Sequence, residues 1–123
     1  MLDKIGCDPS GLGGILDALT EAEIPEDKII GISQGWKMTG AILTAERKLA
    51  EGIMVHGGQP LMNWCVGNAK VEPRGNAKII TKQAAGSAKI DPLMALFNAV
   101  TLMSLNPESQ GHLDDFVFNP LIL

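Results

Sequence analysis

The chain has 123 residues, 46% of them hydrophobic and 20% charged, which is the composition of one globular domain or part of one. No apolar run approaches the roughly 18 residues of a membrane span. The first residues also lack the basic flank and apolar core of a signal peptide, so we expect a cytoplasmic protein with no membrane partner. The net charge of −4 argues against a simple non-specific DNA-binding protein.

Basic side chains are concentrated in one stretch of the sequence. Residues 1–27 hold seven acidic residues and one basic residue, whereas residues 70–89 hold one acidic residue, Glu72, and five basic ones. The five are Lys70, Arg74, Lys78, Lys82 and Lys89. A local basic strip on an acidic protein can contact a phosphate backbone. The alternative interpretation is a solvated hairpin face, and the sequence leaves both open.

The first third of the chain predicts a β-α-β unit. Residues 4–8 form a short apolar stretch that predicts a buried strand ending at Asp8. Leucine and isoleucine at helical spacing predict a helix from about residue 12 to residue 22, and residues 28–33 predict a second strand. This order favours a parallel strand pair.

Three helices and a hairpin are predicted after this unit. Helices are expected over residues 36–50, from about residue 59 to residue 68, and from residue 91 to about residue 105. Residues 70–72 and 78–81 flank Gly75 and predict a β-hairpin before the last helix. Trp36 and Trp64 fall on helical faces, and we expect them to lie in the core; the alternative is that they are platforms on which bases stack.

Two aspartates, Asp8 and Asp91, lie at positions where α/β proteins often carry functional acidic residues: the end of a strand and the start of a helix. Asp8 ends a predicted strand, at the sheet edge where ligands bind, but it also suits an Asx turn in Asp-Pro-Ser-Gly. Asp91 precedes Pro92 at the start of the last helix, where a helix N-cap is the simple interpretation. Local pattern favours the structural interpretation of both.

Other candidate sites carry weaker signals. The glycines at 11, 13 and 14 resemble a dinucleotide-binding loop, but Leu16 stands where the third glycine belongs, and close helix–sheet packing is the alternative. His56 is interpreted as a turn residue, and His112 has no evident partner. Cys7 and Cys65 are too far apart in sequence for a zinc motif and are expected to be small core thiols. We predict no organic cofactor.

Several blocks taken in order resemble one family. They are Asp8-Pro9, Ser33-Gln34-Gly35, Glu46-Arg47-Lys48-Leu49, HGGQPLMNWCVGNAKVE at 56–72 and GNAKIITKQAAGSAKIDPLMALFNAV at 75–100. This order and spacing resemble the C-terminal nuclease domain of tailed-phage terminase large subunits, up to about residue 107. Residues 1–107 are therefore assigned to that domain, and residues 108–123 to a C-terminal tail.

The resemblance implies a fold, an activity and a site. The fold would be α/β and partly RNase H-like, with a short mixed sheet flanked by helices. The activity would be cleavage of concatemeric viral DNA during packaging, in the bacterial cytoplasm, with the small terminase subunit and the portal as partners. Asp8 and Asp91 would be catalytic ligands of Mg²⁺ or Mn²⁺, which activate water and steady the leaving oxygen. From the basic strip we infer that Lys78, Lys82 and Lys89 hold double-stranded DNA.

The sequence also departs from the family pattern. The first strand with its acidic residue, and the ATPase domain, are not seen here, so we expect an N-terminally truncated domain or a shortened prophage gene that is inactive by itself. An exposed sheet edge would then favour homo-oligomers. The alternative hypotheses are a non-enzymatic interaction or oligomerisation module and, less strongly supported, nucleotide binding at Gly11 to Gly14.

Overall fold

A computed structural model describes residues 2–83 and 87–108, and this part of the chain is mixed α/β. Its strands are Ile5–Cys7 (β1), Ile29–Gly31 (β2), Ala69–Arg74 (β3) and Ala77–Lys82 (β4). Its α-helices are Gly13–Glu21 (α1), Thr39–Ala50 (α2), Pro60–Asn68 (α3) and Asp91–Met103 (α4). Short 3₁₀ turns cover Glu26–Lys28 and Gly35–Met38. No helix within the described ranges is long and apolar enough to cross a membrane.

The predicted β-α-β unit is confirmed. β1 and β2 pair in parallel, with Ile5 opposite Ile29 and Cys7 opposite Gly31, and α1 connects them. The parallel direction follows from the crossover, since two parallel strands cannot be joined by a tight turn. None of the residues of α1 is fully buried, so this helix lies at the periphery of the described core.

The predicted hairpin before the last helix is also confirmed. β3 and β4 are antiparallel, with Ala69 opposite Lys82 and Arg74 opposite Ala77. Gly75 in the turn has a φ of +61°, a left-handed conformation that glycine adopts without steric cost. The expectation of one mixed sheet is wrong for the described residues, because the parallel pair and the hairpin form two separate two-stranded sheets.

The core lies between α2 and α4, with α3 and the end of β2 packed against it. Its buried members are Ile32, Met38, Ala41, Ile42, Ala45, Cys65, Leu93, Phe97 and Val100. The two long helices contribute most of them, as their spacing of apolar residues predicts. Cys7 and Cys65 are both free thiols, and Cys65 is fully buried, as expected of a small core residue.

The prediction that both tryptophans lie in the core is wrong. Trp36 is 64% exposed and Trp64 is 47% exposed. Trp36 lies on the 3₁₀ turn that precedes α2, so the helical phase of that helix does not apply to it. On α3 the inward positions are taken by Met62 and Cys65, and Trp64 is rotated about 100° from its neighbour Cys65.

The predicted C-terminal tail, residues 108–123, lies outside the described residues except for Glu108. His112 and the apolar residues at 116–123 belong to that part of the chain.

Candidate functional site

Asp8 follows β1 directly, at the carboxyl end of the parallel strand pair. Its side chain is exposed, and Oδ1 accepts a hydrogen bond from the backbone N–H of Ser10 at 2.9 Å. This is the local turn that the Asp-Pro-Ser-Gly sequence predicts. One oxygen of the Asp8 carboxylate therefore stabilises the turn. The carboxylate lies at the edge of the sheet where α/β proteins bind ligands.

Asp91 is the first residue of α4 and is exposed. The simple N-cap interpretation is wrong, because Ile90 occupies the N-cap position and the start of α4 has no side-chain capping hydrogen bond. Pro92 follows in the first turn, where its missing N–H costs no helical hydrogen bond. The Asp91 carboxylate is therefore not used as a cap, and it lies at the helix end that favours negative charge.

The elements that carry these two aspartates pack against each other at Gly6. A methyl group added at Gly6 would lie 3.2 Å from the backbone oxygen of Asn98, in α4. The Asn98 side chain is buried, and its Oδ1 accepts a hydrogen bond from Nε2 of Gln34 at 3.0 Å. Gln34 also donates to the carbonyl of Ile32, at 2.8 Å, and so links the end of β2 to α4. Asn98 is seven residues from Asp91, about 10.5 Å along the helix axis.

The three predicted DNA-binding lysines are all exposed, and the backbones of two of them, Lys82 and Lys89, lie at the junction of α3 and β3. Lys82 is paired with Ala69 across the hairpin. The carbonyl of Lys89 accepts a hydrogen bond from Nδ2 of Asn68 at 3.0 Å. Since Asp91 is two residues beyond Lys89, the two lysines and this carboxylate belong to one region of the molecule.

Lys78 lies at the other end of β4, where it contacts the turn before α2. Its backbone N–H donates to Oγ1 of Thr39 at 3.0 Å, and the same hydroxyl lies 2.6 Å from the carbonyl of Trp36, to which it donates. Four residues of strand separate Lys78 from Lys82, which is about 13 Å. The cationic surface thus extends along β4 from Asp91 towards Trp36.

The pleat of the hairpin divides the basic strip into two faces. Because side chains alternate along a strand, Lys78 and Lys82 share one face, and Lys70 and Arg74 share the other with Glu72. Glu72 forms ion pairs with Lys70, at 3.5 Å, and with Arg74, at 3.6 Å. Within residues 2–83 and 87–108, Lys78, Lys82 and Lys89 form no salt bridge. Within the basic strip, the lysines singled out from the sequence are therefore the ones that form no salt bridge among the described residues.

The other candidates, His56 and the glycine cluster, have local structural roles. His56 accepts a hydrogen bond at Nδ1 from the N–H of Gly58, at 3.1 Å, as expected of a turn histidine. Close helix–sheet packing does not explain the glycine cluster, since a methyl group added at Gly11, Gly13 or Gly14 would meet nothing within 4 Å. Gly11 instead has a φ of +69°, which a turn after β1 requires.

Comparison with known proteins shows the family of this chain. The family model described as "Terminase large subunit, endonuclease domain" matches residues 2–106. The chain belongs to this family. All five predicted site residues lie inside the part of the terminase nuclease domain that is matched.

A relative supports the same assignment. This terminase nuclease domain is 33% identical over 97 residues to the terminase large subunit of Enterobacteria phage HK97. The similar region covers 76% of this chain and 19% of that protein, so the chain spans about a fifth of its relative's length. No solved structure matches the chain.

The metal that such a nuclease would use fits the described residues only in part. Carboxylate oxygens are the ligands that Mg²⁺ and Mn²⁺ prefer, so the chemistry of Asp8 and Asp91 is suitable. Their number is not, because no group of three or more His, Cys, Asp and Glu in the described ranges could hold a metal ion. Asp8 and Asp91 by themselves would therefore be an incomplete set of ligands.

Sequence reasoning missed the residues that connect the site. Gln34, Asn98 and Thr39 tie the strands to α4 and to the turn before α2. In the sequence, Gln34 stood out only as part of the block Ser33-Gln34-Gly35 that resembles the family. Asn98 interrupts the apolar face of the last helix. A polar residue on such a face is the signal that could have indicated a buried hydrogen bond.

Proposed function

We propose that this chain is part of a phage terminase large subunit and contributes to the endonuclease that cuts concatemeric viral DNA during packaging. The observation that carries this proposal is the family match over residues 2–106, which includes Asp8, Asp91 and the three lysines. The order of a parallel β-α-β unit, a hairpin and a final helix supports a partly RNase H-like fold.

In this proposal, Asp8 and Asp91 supply carboxylate ligands to Mg²⁺ or Mn²⁺. Lys78, Lys82 and Lys89 neutralise phosphates of double-stranded DNA. In this proposal, acidic residues from the rest of the complete subunit supply the further carboxylates, so we expect the 123-residue chain not to cleave DNA by itself. The small terminase subunit and the portal are the proposed protein partners of the complete subunit.

Metal binding is tested with Mn²⁺ by electron paramagnetic resonance. The chain should bind Mn²⁺ weakly, and Asp8→Asn and Asp91→Asn should each reduce this binding, because each removes a charged oxygen ligand. Asp17→Asn is the matched control, since Asp17 is an exposed carboxylate on α1 outside the proposed site. An equal effect of all three substitutions would contradict the site assignment.

Cleavage is tested by incubating the chain with supercoiled plasmid and Mn²⁺. We expect no nicking or linearisation. Robust cutting that is abolished by Asp91→Ala would show that the chain is active by itself. Cutting that survives both Asp8→Ala and Asp91→Ala would show that these aspartates are not the catalytic residues.

DNA binding is tested by fluorescence anisotropy with a labelled duplex at low salt. Replacing Lys78, Lys82 and Lys89 together by Gln should lower the affinity by tenfold or more, since about three counterions are no longer released. Lys48→Gln, on α2, is the control and should leave binding unchanged. Equal binding by the triple variant and the unmodified chain would place the DNA surface elsewhere.

A further inference from the structure

Trp36 is an exposed aromatic side chain with a cation beside it. The indole is 64% exposed, although tryptophan is on average among the more buried residue types. The Nζ atom of Lys37 lies 5.6 Å from the centre of the ring, within the range of a cation–π contact. The ring therefore presents a π surface next to a positive charge.

Backbone contacts fix Trp36 beside the cationic end of β4. The Oγ1 atom of Thr39 is 2.6 Å from the carbonyl oxygen of Trp36 and 3.0 Å from the backbone nitrogen of Lys78. One hydroxyl thus joins the turn Gly35–Met38 to the start of β4. Trp36, Lys37 and Lys78 consequently share one corner of the molecule, and Lys78 belongs to the hairpin face without Glu72.

We propose that Trp36, Lys37 and Lys78 form a binding site for one unpaired nucleotide of single-stranded DNA. The inference rests on the proposed function, because it extends the surface of Lys78, Lys82 and Lys89. The base stacks on the indole, and the ammonium group of Lys37 turns from the ring to the adjoining phosphate. Lys78 contacts the next part of the backbone. Stacking on an aromatic ring combined with backbone lysines is the usual way in which proteins hold single strands.

A single strand is favoured over a duplex because of what the ring can contact. In a duplex the faces of the bases are covered by their neighbours, so an indole on the surface meets only the sugar–phosphate edge. An unpaired base exposes a π face, and any of the four bases can use it. The site should therefore tolerate different sequences and prefer unpaired DNA.

Trp64 provides a matched comparison within the same chain. It is also exposed, at 47%, but α3 contains no charged residue from Pro60 to Asn68. Among the described residues, the cation–π contact is made to Trp36 and none is made to Trp64, so Trp64 should have less affinity for a charged strand. The chain contains only these two tryptophans, so replacing one leaves the fluorescence of the other as the signal.

The test uses the full 123-residue chain with Trp64→Phe and a titration with unlabelled oligo(dT). We expect quenching of the Trp36 emission, and a weaker or absent response to duplex of the same length. In anisotropy measurements with a labelled oligo(dT), Trp36→Leu should lower the affinity by about tenfold or more, as for the loss of one stacked base. Trp36→Phe should restore part of it, and Trp64→Leu should change it less than twofold.

Lys37→Gln and Lys78→Gln test the charged part of the site. Each should weaken oligo(dT) binding and reduce the slope of log affinity against log salt by about 0.7. Circular dichroism and urea denaturation verify that the variants fold. Because Trp36 is mostly exposed, Trp36→Leu should leave the denaturation midpoint nearly unchanged.

The outcomes distinguish this inference from the proposed function. Unchanged Trp36 emission, together with equal oligo(dT) affinity of Trp36→Leu and the unmodified chain, overturns the stacking site. If duplex binding still depends on Lys78, Lys82 and Lys89, the proposed DNA surface stands and only the stacking site fails. If neither DNA form binds, both fail, and contact of Trp36 with another protein becomes the better explanation of its exposure.

Discussion

At the scale of single residues, Gly6 decides how closely β1 and α4 approach. A Cβ atom there would lie 3.0 Å from Cγ1 of Ile32, 3.1 Å from Cδ1 of Leu102 and 3.2 Å from the backbone oxygen of Asn98. The side chains can move by a few tenths of an ångström, but the helical carbonyl is held by its own helix. Glycine is therefore required by packing at this position, since its φ is ordinary.

Gly6→Ala should destabilise the fold by about 1–3 kcal/mol, as expected when a well-packed contact is overfilled. Urea denaturation monitored by circular dichroism gives the free energy of unfolding. Gly14→Ala is the matched control, because a methyl group there meets nothing within 4 Å and lies in α1, where alanine is favoured by up to about 1 kcal/mol. Equal stability of Gly6→Ala and the unmodified chain would show that α4 can move away from β1.

At the scale of elements, the hydrogen bond between half-buried Gln34 and buried Asn98 joins the end of β2 to α4. Asn98 is the buried polar residue of the described core. Its Oδ1 accepts a hydrogen bond from Nε2 of Gln34 at 3.0 Å. Its amide nitrogen lies at 3.5 Å from the carbonyl of Gly6, a long contact that adds little. This pair connects the two parts of the fold that carry Asp8 and Asp91.

A double-mutant cycle with Gln34→Leu and Asn98→Leu should give a coupling free energy of about 1 kcal/mol. Gln34→Leu should cost about 1–3 kcal/mol, since it leaves the buried Asn98 oxygen without its hydrogen bond. Asn98→Leu should cost less, since the half-buried Gln34 keeps its hydrogen bond to the Ile32 carbonyl. The double variant should therefore be less destabilised than the sum of the two single variants. Strict additivity in urea denaturation would indicate that the two amides do not interact in solution.

At the scale of the whole molecule, a net charge of −4 coexists with an uncompensated cationic line along β4. Long-range attraction to DNA should then be weak, and under the proposed function binding would depend on the few lysines placed to contact phosphate. For duplex DNA and three contacts, log affinity should fall against log salt with a slope of about −2.7. The measurement is anisotropy between about 50 and 200 mM salt. A slope near zero would mean that these lysines do not contact phosphates.

The order and type of the elements could be predicted because their signals are local. Leucine and isoleucine spacing, Pro60 and Pro92 at helix starts, and Gly75 in the turn each act within a few residues. The bounds moved by only a few residues, apart from the 3₁₀ turn before α2. The family blocks then assigned the chain to a terminase nuclease domain, and the family match over residues 2–106 bears out that assignment.

The sequence by itself thus determined the elements and the family, whereas the tertiary structure decided which side chains face water and which compensate each other. Because side chains alternate along the strands of the hairpin, Glu72 lies on the same face as Lys70 and Arg74 and forms ion pairs with both. Lys78 and Lys82 lie on the other face and form no ion pair among the described residues. The packing of Met62 and Cys65 turned Trp64 outward, and the turn before α2 did the same for Trp36. These outcomes depend on contacts between residues far apart in the chain, and such contacts leave no periodic signal in the sequence.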